Sequence, residues 1–215
     1  MVTITKHQIL QWLQAVATVL EQNKDYLTEL DAAIGDADHG INMNRGFQKV
    51  ITQLPKVADK DIGSILKTVS MTLISSVGGA SGPLYGTLFL RSSAAVAGKQ
   101  ELTKEDMVKL FQAAVEGVVQ RGKANLGDKT MLDALSPAAN AFAQAVDQGD
   151  SMLEALQQAV NAAEEGMKNT IPLVAKKGRA SYLGERSAGH QDPGATSAYL
   201  IFQTLLETGN TGSRE

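Results

Sequence analysis

The sequence predicts an all-α protein built from eight amphipathic helices that pack antiparallel to one another, as a bundle or a barrel. Apolar residues recur three or four positions apart along most of the 215-residue chain, which is the spacing of one helix face. No segment alternates apolar and polar residues with a period of two, and no Asn-Gly turn joins two strand-like runs. Aromatic residues, which are enriched in strands, make up only 5% of the chain.

Local end signals delimit the first two helices. Thr5 and Gln8 have the spacing of a capping box, in which each side chain bonds the other residue's backbone N–H, and they open the first helix. Its apolar stripe continues to Leu30. The second helix spans residues 42–54 and ends at Pro55, because proline cannot continue a helix.

The next three helices also begin at recognisable residues. Asp61 precedes the third helix, in which the apolar residues over 62–73 have near-helical spacing. A glycine-rich turn leads into the fourth helix and places Pro83 in its first turn, where proline is tolerated. Thr103 and Asp106 have capping spacing and open the fifth helix.

The last three helices complete the predicted fold. The sixth helix starts near Thr130. Ser151 and Glu154 form a second capping box at the start of the seventh helix, which runs toward Ile171. The eighth helix follows Pro193 and carries a continuous apolar run.

Bulk composition indicates one globular domain over residues 1–215, with a frayed tail at about residues 209–215. Lys and Arg total 20 against 23 Asp and Glu, so the formal charge of −3 gives no support to a nucleic-acid partner or an anionic membrane. The chain has no cysteine, which excludes disulfides and thiolate metal sites. It also lacks a secretory signal and any run of roughly 18 apolar residues. We therefore expect a soluble, cytoplasmic protein.

Four connections are richer in glycine and polar residues than a simple turn between helices requires. They follow the first, third, fifth and seventh helices, at residues 31–40, 78–83, 121–129 and 176–195. In an up-and-down array of helices, alternate connections lie at the same end. The topology thus predicts that these four loops converge at one rim and form a site at one end of the fold.

The first of these loops contains three carboxylates within eight residues, Asp31, Asp36 and Asp38. Like charges held close together raise one another's pKa, so the cluster favours a bound cation. Mg²⁺ is the natural candidate, because it binds oxygen ligands and commonly bridges carboxylates to phosphates. The flanking Gly35 and Gly40 permit a sharp turn and a close approach to a ligand. The alternative is a solvated acidic loop in which Asp38 caps the next helix.

The second and fourth loops have the composition of a phosphate site. The glycine-rich turn ends in Ser81 immediately before a helix start, where free N–H groups and a hydroxyl suit an anion. Arg179, flanked by small residues in the basic fourth loop, could contact phosphate oxygens. Met131 in the third loop could pack against a base. The alternatives are a turn that lets two helices pack closely, a solvated basic loop and a plain core methionine. Together the loops indicate a Mg-nucleotide site, whereas Ser/His/Asp nucleophilic catalysis lacks a G-x-S-x-G signature.

The four loops resemble those of a known family. Their sequences are GDADHG at 35–40, SSVGGASGPLYGT at 75–87, GDKTM at 127–131 and GRASYLGERSAGHQDPGATS at 178–197. In this order they are similar to the nucleotide-binding L subunits of dihydroxyacetone kinases, and the resemblance covers essentially the whole chain. It implies a barrel of eight antiparallel helices with the nucleotide and two Mg²⁺ at one end.

The resemblance also implies residue roles. Asp31, Asp36 and Asp38 would ligate the two Mg²⁺ ions, and Arg179 would reach a phosphate as the residue that we assign to catalysis. The residues that it implies for binding ADP or ATP are His39, Gly40, Ile41, Asn42, Ala80, Ser81, Gly122, Met131, Arg179, Asp192, Pro193 and Gly194.

The resemblance further predicts a subunit of a multi-component enzyme. A chain that is L-type from end to end resembles the separate subunit of the phosphotransferase-system-dependent kinase, which keeps ADP bound as a coenzyme. A phosphohistidine on an M subunit would rephosphorylate it, and a K subunit would hold dihydroxyacetone as the acceptor. A homodimer is compatible with the sequence, and neither nucleic acid nor a membrane is expected as a partner. The alternatives are a self-sufficient Mg-ATP small-molecule kinase, a non-catalytic Mg-nucleotide regulatory module and a fatty-acid kinase nucleotide domain.

Overall fold

The computed structural model describes residues 3–211. α-Helices are the main secondary structure of these residues, beside two strands of two residues each, which confirms the all-α class. Two short 3₁₀ segments, at Leu54–Lys56 and Arg179–Ser187, lie in the connections. The other elements, in chain order, are β1 Ile4–Thr5, α1 Lys6–Gln22, α2 Lys24–Ile34, α3 His39–Ile51, α4 Ile62–Ser76, α5 Ser81–Ala95, β2 Glu101–Leu102, α6 Lys104–Gly122, α7 Leu132–Asp147, α8 Met152–Asn169 and α9 Pro193–Thr211.

The helices pack in a cyclic order. From α3 to α9 each helix packs against the next, α9 packs against α1, and α1 packs back against α3. The short α2 lies against α3 and α9. The barrel itself stays a prediction, because these contacts establish which helices are neighbours and not the regular geometry of a barrel. No helix within residues 3–211 has the length and apolar content needed to span a membrane.

The capping residues that the sequence indicated are in place. At each of the three capping boxes the two side chains bond reciprocally to backbone N–H groups, which satisfies donors that a helix start leaves without an intrahelical partner. Asp61 acts as a simple cap, since its side chain accepts from one N–H group of α4. The confirmed pairs are Thr5 with Gln8, Thr103 with Asp106, and Ser151 with Glu154.

The prediction of a single first helix is wrong, because the chain breaks at Asn23 into α1 and α2. The backbone of Asn23 has φ −98° and ψ 10°, and its side-chain amide donates to the Val19 carbonyl at 2.8 Å. Asparagine readily makes such local bonds in competition with the helix. The apolar stripe continues across the break, so periodicity alone did not reveal it. Residues 3–211 therefore contain nine α-helices instead of the predicted eight.

The second helix, a short strand pair and the C-terminal end also differ from the prediction or extend beyond it. The second predicted helix starts at His39 and ends at Ile51, so it lies three residues earlier than expected. The antiparallel pair of β1 and β2 was not predicted, because two residues are too few to show an alternating pattern. Helix α9 extends to Thr211, and residues 212–215 of the predicted frayed tail lie outside the described residues.

Aromatic side chains connect the helices in the hydrophobic core. Phe89 of α5 contacts Trp12 of α1 and Phe47 of α3, with ring centroids 6.1 and 6.2 Å apart. A second cluster around Phe111 joins α6 to α7 and α9. Aromatic pairs at these distances bury large apolar areas and contribute further through their ring geometry. They join α1, α3 and α5 to one another, and α6 to α7 and α9, within the core.

Candidate functional site

Four loops line one cavity of about 360 Å³. They connect α2 to α3, α4 to α5, α6 to α7 and α8 to α9, and they are the four connections that the sequence singled out. The convergence that helix counting predicted is therefore present, even though the predicted first helix is two helices.

Most of the predicted site residues lie on the wall of this cavity. Three do not. Gly40 packs against α2, where a Cβ would overlap the carbonyl oxygen of Lys24. Ile41 is exposed, and Asn42 is buried against Gly78. Contact of these three residues with a nucleotide stays a prediction. Those on the wall are Asp31, Asp36, Asp38, His39, Ala80, Ser81, Gly122, Met131, Arg179, Asp192, Pro193 and Gly194.

The three aspartates of the first loop form a compact oxygen cluster. One carboxylate oxygen from each of Asp31, Asp36 and Asp38 lies within 4.8 Å of the other two. Between the last two, Ala37 adopts a left-handed conformation with φ +61°, which an L-residue rarely does. This backbone conformation turns neighbouring carboxylates toward one point. The donor set is all-oxygen and negatively charged, which suits a hard divalent cation such as Mg²⁺.

Asp31 also organises the turn. Its Oδ2 accepts hydrogen bonds from the backbone N–H of Asp38 at 2.8 Å and of His39 at 3.1 Å. Asp38 stands at the N-cap position of α3, yet its side chain makes no capping bond there, so the alternative role as a simple cap is wrong. Gly35 is required beside Asp31, because a Cβ at that position would overlap the carboxylate.

Arg179 reaches the acidic cluster from the fourth loop. Its Nε lies 2.7 Å from Oδ2 of Asp36, and both side chains are well exposed to solvent. An exposed pair of this kind contributes little to stability, with a typical value of about 0–1 kcal/mol. The guanidinium therefore stands beside the carboxylates, at the cavity wall, without being fixed there by a strong interaction.

The N-terminus of α5 forms the opposite wall. Ala80 stands at the N-cap position and makes no side-chain capping bond, and Gly79 turns the chain with φ +63°. First-turn N–H groups have no intrahelical acceptor, and the helix dipole favours an anion there. Pro83 has no N–H group, so the available donors belong to Ser81 and Gly82. This wall suits a phosphate group.

His39 is buried between the two walls. Its Nδ1 lies 3.1 Å from Oγ of Ser81, and its Nε2 lies 2.9 Å from Oγ of Ser197. Burial lowers the pKa of His39 below its usual value, although Asp31 and Asp38 act in the opposite direction. The neutral ring is thus favoured. The sequence motifs contained Ser197, but nothing in its local pattern assigned it a partner.

A buried lysine, to which no sequence pattern assigned a role, holds the fourth loop in place. Lys129 is only 1% exposed, and its Nζ donates to the carbonyl oxygens of Thr170 at 2.7 Å, of Leu173 at 3.2 Å and of His190. These carbonyls follow the end of α8 and precede α9. A cation suits the C-terminal end of a helix, where carbonyl groups lack partners. The only local signal was its position in the GDKTM motif.

Asp192 is the most strongly perturbed carboxyl group of the site. Its pKa is raised from 3.8 to about 7, above all because burial penalises the charged form. Nearby Asp133 and Asp31 add to the increase, whereas the Ala195 N–H group and the Lys129 ammonium oppose it. Near neutral pH this group is therefore close to half protonated.

The perturbed Asp192 predicts a specific pH dependence of stability. We expect its contribution to the free energy of unfolding to fall as the pH rises from about 4 to about 7, since over this range the folded chain retains a proton that the unfolded chain has released. Asp192→Asn stays neutral and should remove this part of the pH dependence. Urea unfolding across this range measures it, with exposed Asp147→Asn as the control. Identical pH profiles for wild type and Asp192→Asn would contradict the prediction.

Comparison with known proteins finds relatives that align with this chain over most of both sequences. The family model described as the DAK2 domain matches residues 33–207. The chain is 51% identical to the ADP-binding subunit DhaL of the PEP-dependent dihydroxyacetone kinase of Escherichia coli strain K12, covering 94% of this chain and 97% of that one. It is 42% identical to the ADP-binding subunit DhaL of the PTS-dependent dihydroxyacetone kinase of Lactococcus lactis, covering 95% and 98%.

A solved structure shares the fold. The crystal structure of the native form of the dihydroxyacetone kinase of C. freundii superposes with a TM-score of 0.71 over 93% of this chain, at 25% identity. This chain corresponds to 34% of that longer polypeptide.

Proposed function

The chain belongs to the DAK2 domain family, and on this premise we propose that it is the ADP-binding subunit of a phosphotransferase-system-dependent dihydroxyacetone kinase. The observation that carries the proposal is the likeness over nearly the full length of both chains to relatives that bear this name. The cavity supports it, because a carboxylate oxygen cluster, a helix N-terminus and an arginine surround one space that suits a nucleoside diphosphate.

In the proposed reaction, ADP remains bound to this chain as a coenzyme. A phosphohistidine of the M subunit transfers its phosphoryl group to ADP and gives ATP. The γ-phosphoryl group then passes to a hydroxyl of dihydroxyacetone held by the K subunit, which gives dihydroxyacetone phosphate and restores ADP. A cytoplasmic location belongs to the same proposal.

The residues of this chain would position and neutralise phosphate groups. The carboxylates of Asp31, Asp36 and Asp38 would hold two Mg²⁺ ions, whose chemistry is to neutralise phosphate charge and orient its oxygens. The backbone N–H groups of Ser81 and Gly82 would donate to the phosphates from the other wall. Phosphoryl transfer depends mainly on such positioning, so the acceptor chemistry can reside on a partner subunit.

Arg179 is the catalytic residue in this proposal. Its guanidinium lies at the cavity wall next to Asp36, and its side chain is exposed to solvent. A planar guanidinium can donate two parallel hydrogen bonds to a phosphoryl group, and arginine keeps its charge at any physiological pH. It would thus stabilise the charge of the transferring group.

Two measurements test the proposal. Native mass spectrometry of the purified chain should detect a bound nucleotide with two Mg²⁺ ions. In the second measurement, the chain is incubated with Mg-ATP and dihydroxyacetone, first alone and then with purified K subunit. We expect no product from the chain alone and at most one product molecule per chain once K subunit is present, with continued turnover only when phosphorylated M subunit is supplied to regenerate ATP on the chain.

Other outcomes would point to the alternatives. Turnover by the chain alone would identify a self-sufficient kinase. Tight nucleotide binding without transfer in the complete mixture would indicate a regulatory module.

Arg179→Lys, which keeps the charge but loses the planar fork, should slow transfer while leaving nucleotide binding largely intact.

A further inference from the structure

A buried hydroxyl stands at the centre of a hydrogen-bonded chain behind the cavity. Oγ of Ser197 lies 2.7 Å from the Tyr85 hydroxyl oxygen, 2.9 Å from Nε2 of His39 and 3.0 Å from the carbonyl oxygen of Gly194. Ser197 and Tyr85 are 0% and 1% exposed. Water therefore cannot reach these hydroxyl groups, and their hydrogen bonds must be made with the neighbouring protein groups.

Counting protons fixes the direction of each bond. Three polar contacts surround Ser197 Oγ, and each requires one proton between its two atoms. The Gly194 carbonyl can only accept, so the Ser197 hydroxyl donates to it. The Tyr85 hydroxyl keeps its proton, because burial raises the pKa of Tyr85, and Ser197 Oγ at 2.7 Å is a nearer acceptor than the Gly194 carbonyl oxygen at 3.4 Å. The third proton must come from Nε2 of His39.

With a neutral His39 ring, any other arrangement leaves at least one of these three contacts without a proton. If Ser197 donated to His39 instead, its Oγ and the Gly194 oxygen would lie 3.0 Å apart with no proton between them. If Tyr85 also donated to Gly194, the 2.7 Å contact between the two hydroxyl oxygens would be empty as well. Unsatisfied contacts of this kind in a buried site are costly.

We propose that Tyr85 and Ser197 are positioning residues that hold His39 with its proton on Nε2, so that Nδ1 faces Ser81 at the cavity wall as an acceptor. The Ser81 hydroxyl then donates to Nδ1 at 3.1 Å and presents only lone pairs to the cavity. This differs from the predicted role of Ser81 as a hydroxyl donor to phosphate. The donors on this wall are the backbone N–H groups of the first turn of α5, and the Ser81 oxygen faces a cation or a donor.

Nitrogen NMR of the histidine rings in the full chain tests the assignment directly. Without added nucleotide, the spectrum should show His39 with a protonated Nε2 and an unprotonated Nδ1. Ser197→Ala removes the acceptor of the Nε2 proton, and we expect the ring to shift toward the Nδ1-protonated form. Ser197→Thr retains a hydroxyl and should restore the wild-type signals. A protonated Nδ1 in the wild type, or an unchanged ring in Ser197→Ala, would overturn the proposal.

A kinetic measurement tests the consequence, and only this part rests on the proposed function. With the partner subunits present, Ser197→Ala should slow phosphoryl transfer roughly tenfold to a hundredfold, the range typical of residues that orient histidine ligands of metals. Its affinity for ADP should change much less, and Ser197→Thr should recover the rate. An unchanged rate in a Ser197→Ala chain whose ring has shifted would overturn the positioning role. Absence of transfer by the wild type would instead contradict the proposed function, with the NMR result unaffected.

Discussion

Replacing Asp36 with asparagine is expected to lower the affinity of the chain for Mg-ADP roughly a hundredfold, about 2.7 kcal/mol, without unfolding it. The substitution removes one negative charge from a cluster of three carboxylates whose oxygens lie within 4.8 Å of one another. An amide oxygen is a weaker ligand for a hard cation than a carboxylate. Isothermal calorimetry with ADP, in the presence and absence of Mg²⁺, measures the effect.

Asp36 is the appropriate position because its contact within the fold is weak. It pairs with the exposed Arg179, and such pairs contribute about 0–1 kcal/mol. Asp31, by contrast, is buried and accepts two backbone N–H bonds, so its replacement would disturb the turn as well as the metal site. A change at Asp36 therefore separates metal binding from folding.

The matched control is Asp25→Asn on α2, whose side chain is 94% exposed and pairs with Lys24. It removes the same charge at a distance from the carboxylate cluster. Thermal unfolding should give similar transition temperatures for both variants and the wild type when no ligand is added. Undiminished affinity of Asp36→Asn for Mg-ADP would falsify the assignment of the metal site.

The second large effect is expected from Lys129→Met, which should lower the free energy of unfolding by about 3–5 kcal/mol. The methionine side chain has a similar length and would occupy the same left-handed backbone conformation, with φ +62°. The substitution therefore measures the effect of losing the ammonium group. Without it, the carbonyls of Thr170, Leu173 and His190 lose their buried donor. Asp192 also loses the nearby cation that favours its charged form.

Urea unfolding measures the change in stability, and hydrogen exchange locates it. We expect faster exchange over residues 170–192, the segment that Lys129 connects to the start of α7, than in the interior helices. The control is Lys109→Met, an exposed position on α6. A loss of stability no larger than that of the control would show that Lys129 does not hold the loop.

Local signals in the sequence were sufficient to predict the helix caps. A capping box links residues three positions apart, so Thr5 with Gln8 and Ser151 with Glu154 could be read directly and are confirmed. The break at Asn23 is also local, but the apolar stripe that crosses it is the stronger pattern and concealed it. The start of α3 was misplaced because its first N–H groups bond to Asp31, on the preceding helix.

The sequence by itself determined the helical class, the four loops and their convergence at one end, and the three carboxylates of the first loop. These follow from periodicity, glycine content and spacing, which are properties of short segments. Only the tertiary structure decided which side chains complete the site. His39 and Ser197 are 158 residues apart in sequence and 2.9 Å apart in space, and Lys129 bonds to carbonyls 41 and 61 residues away. Such contacts depend on how helices pack against one another, and the hydrogen-bond demands of buried groups can be counted only after burial is known.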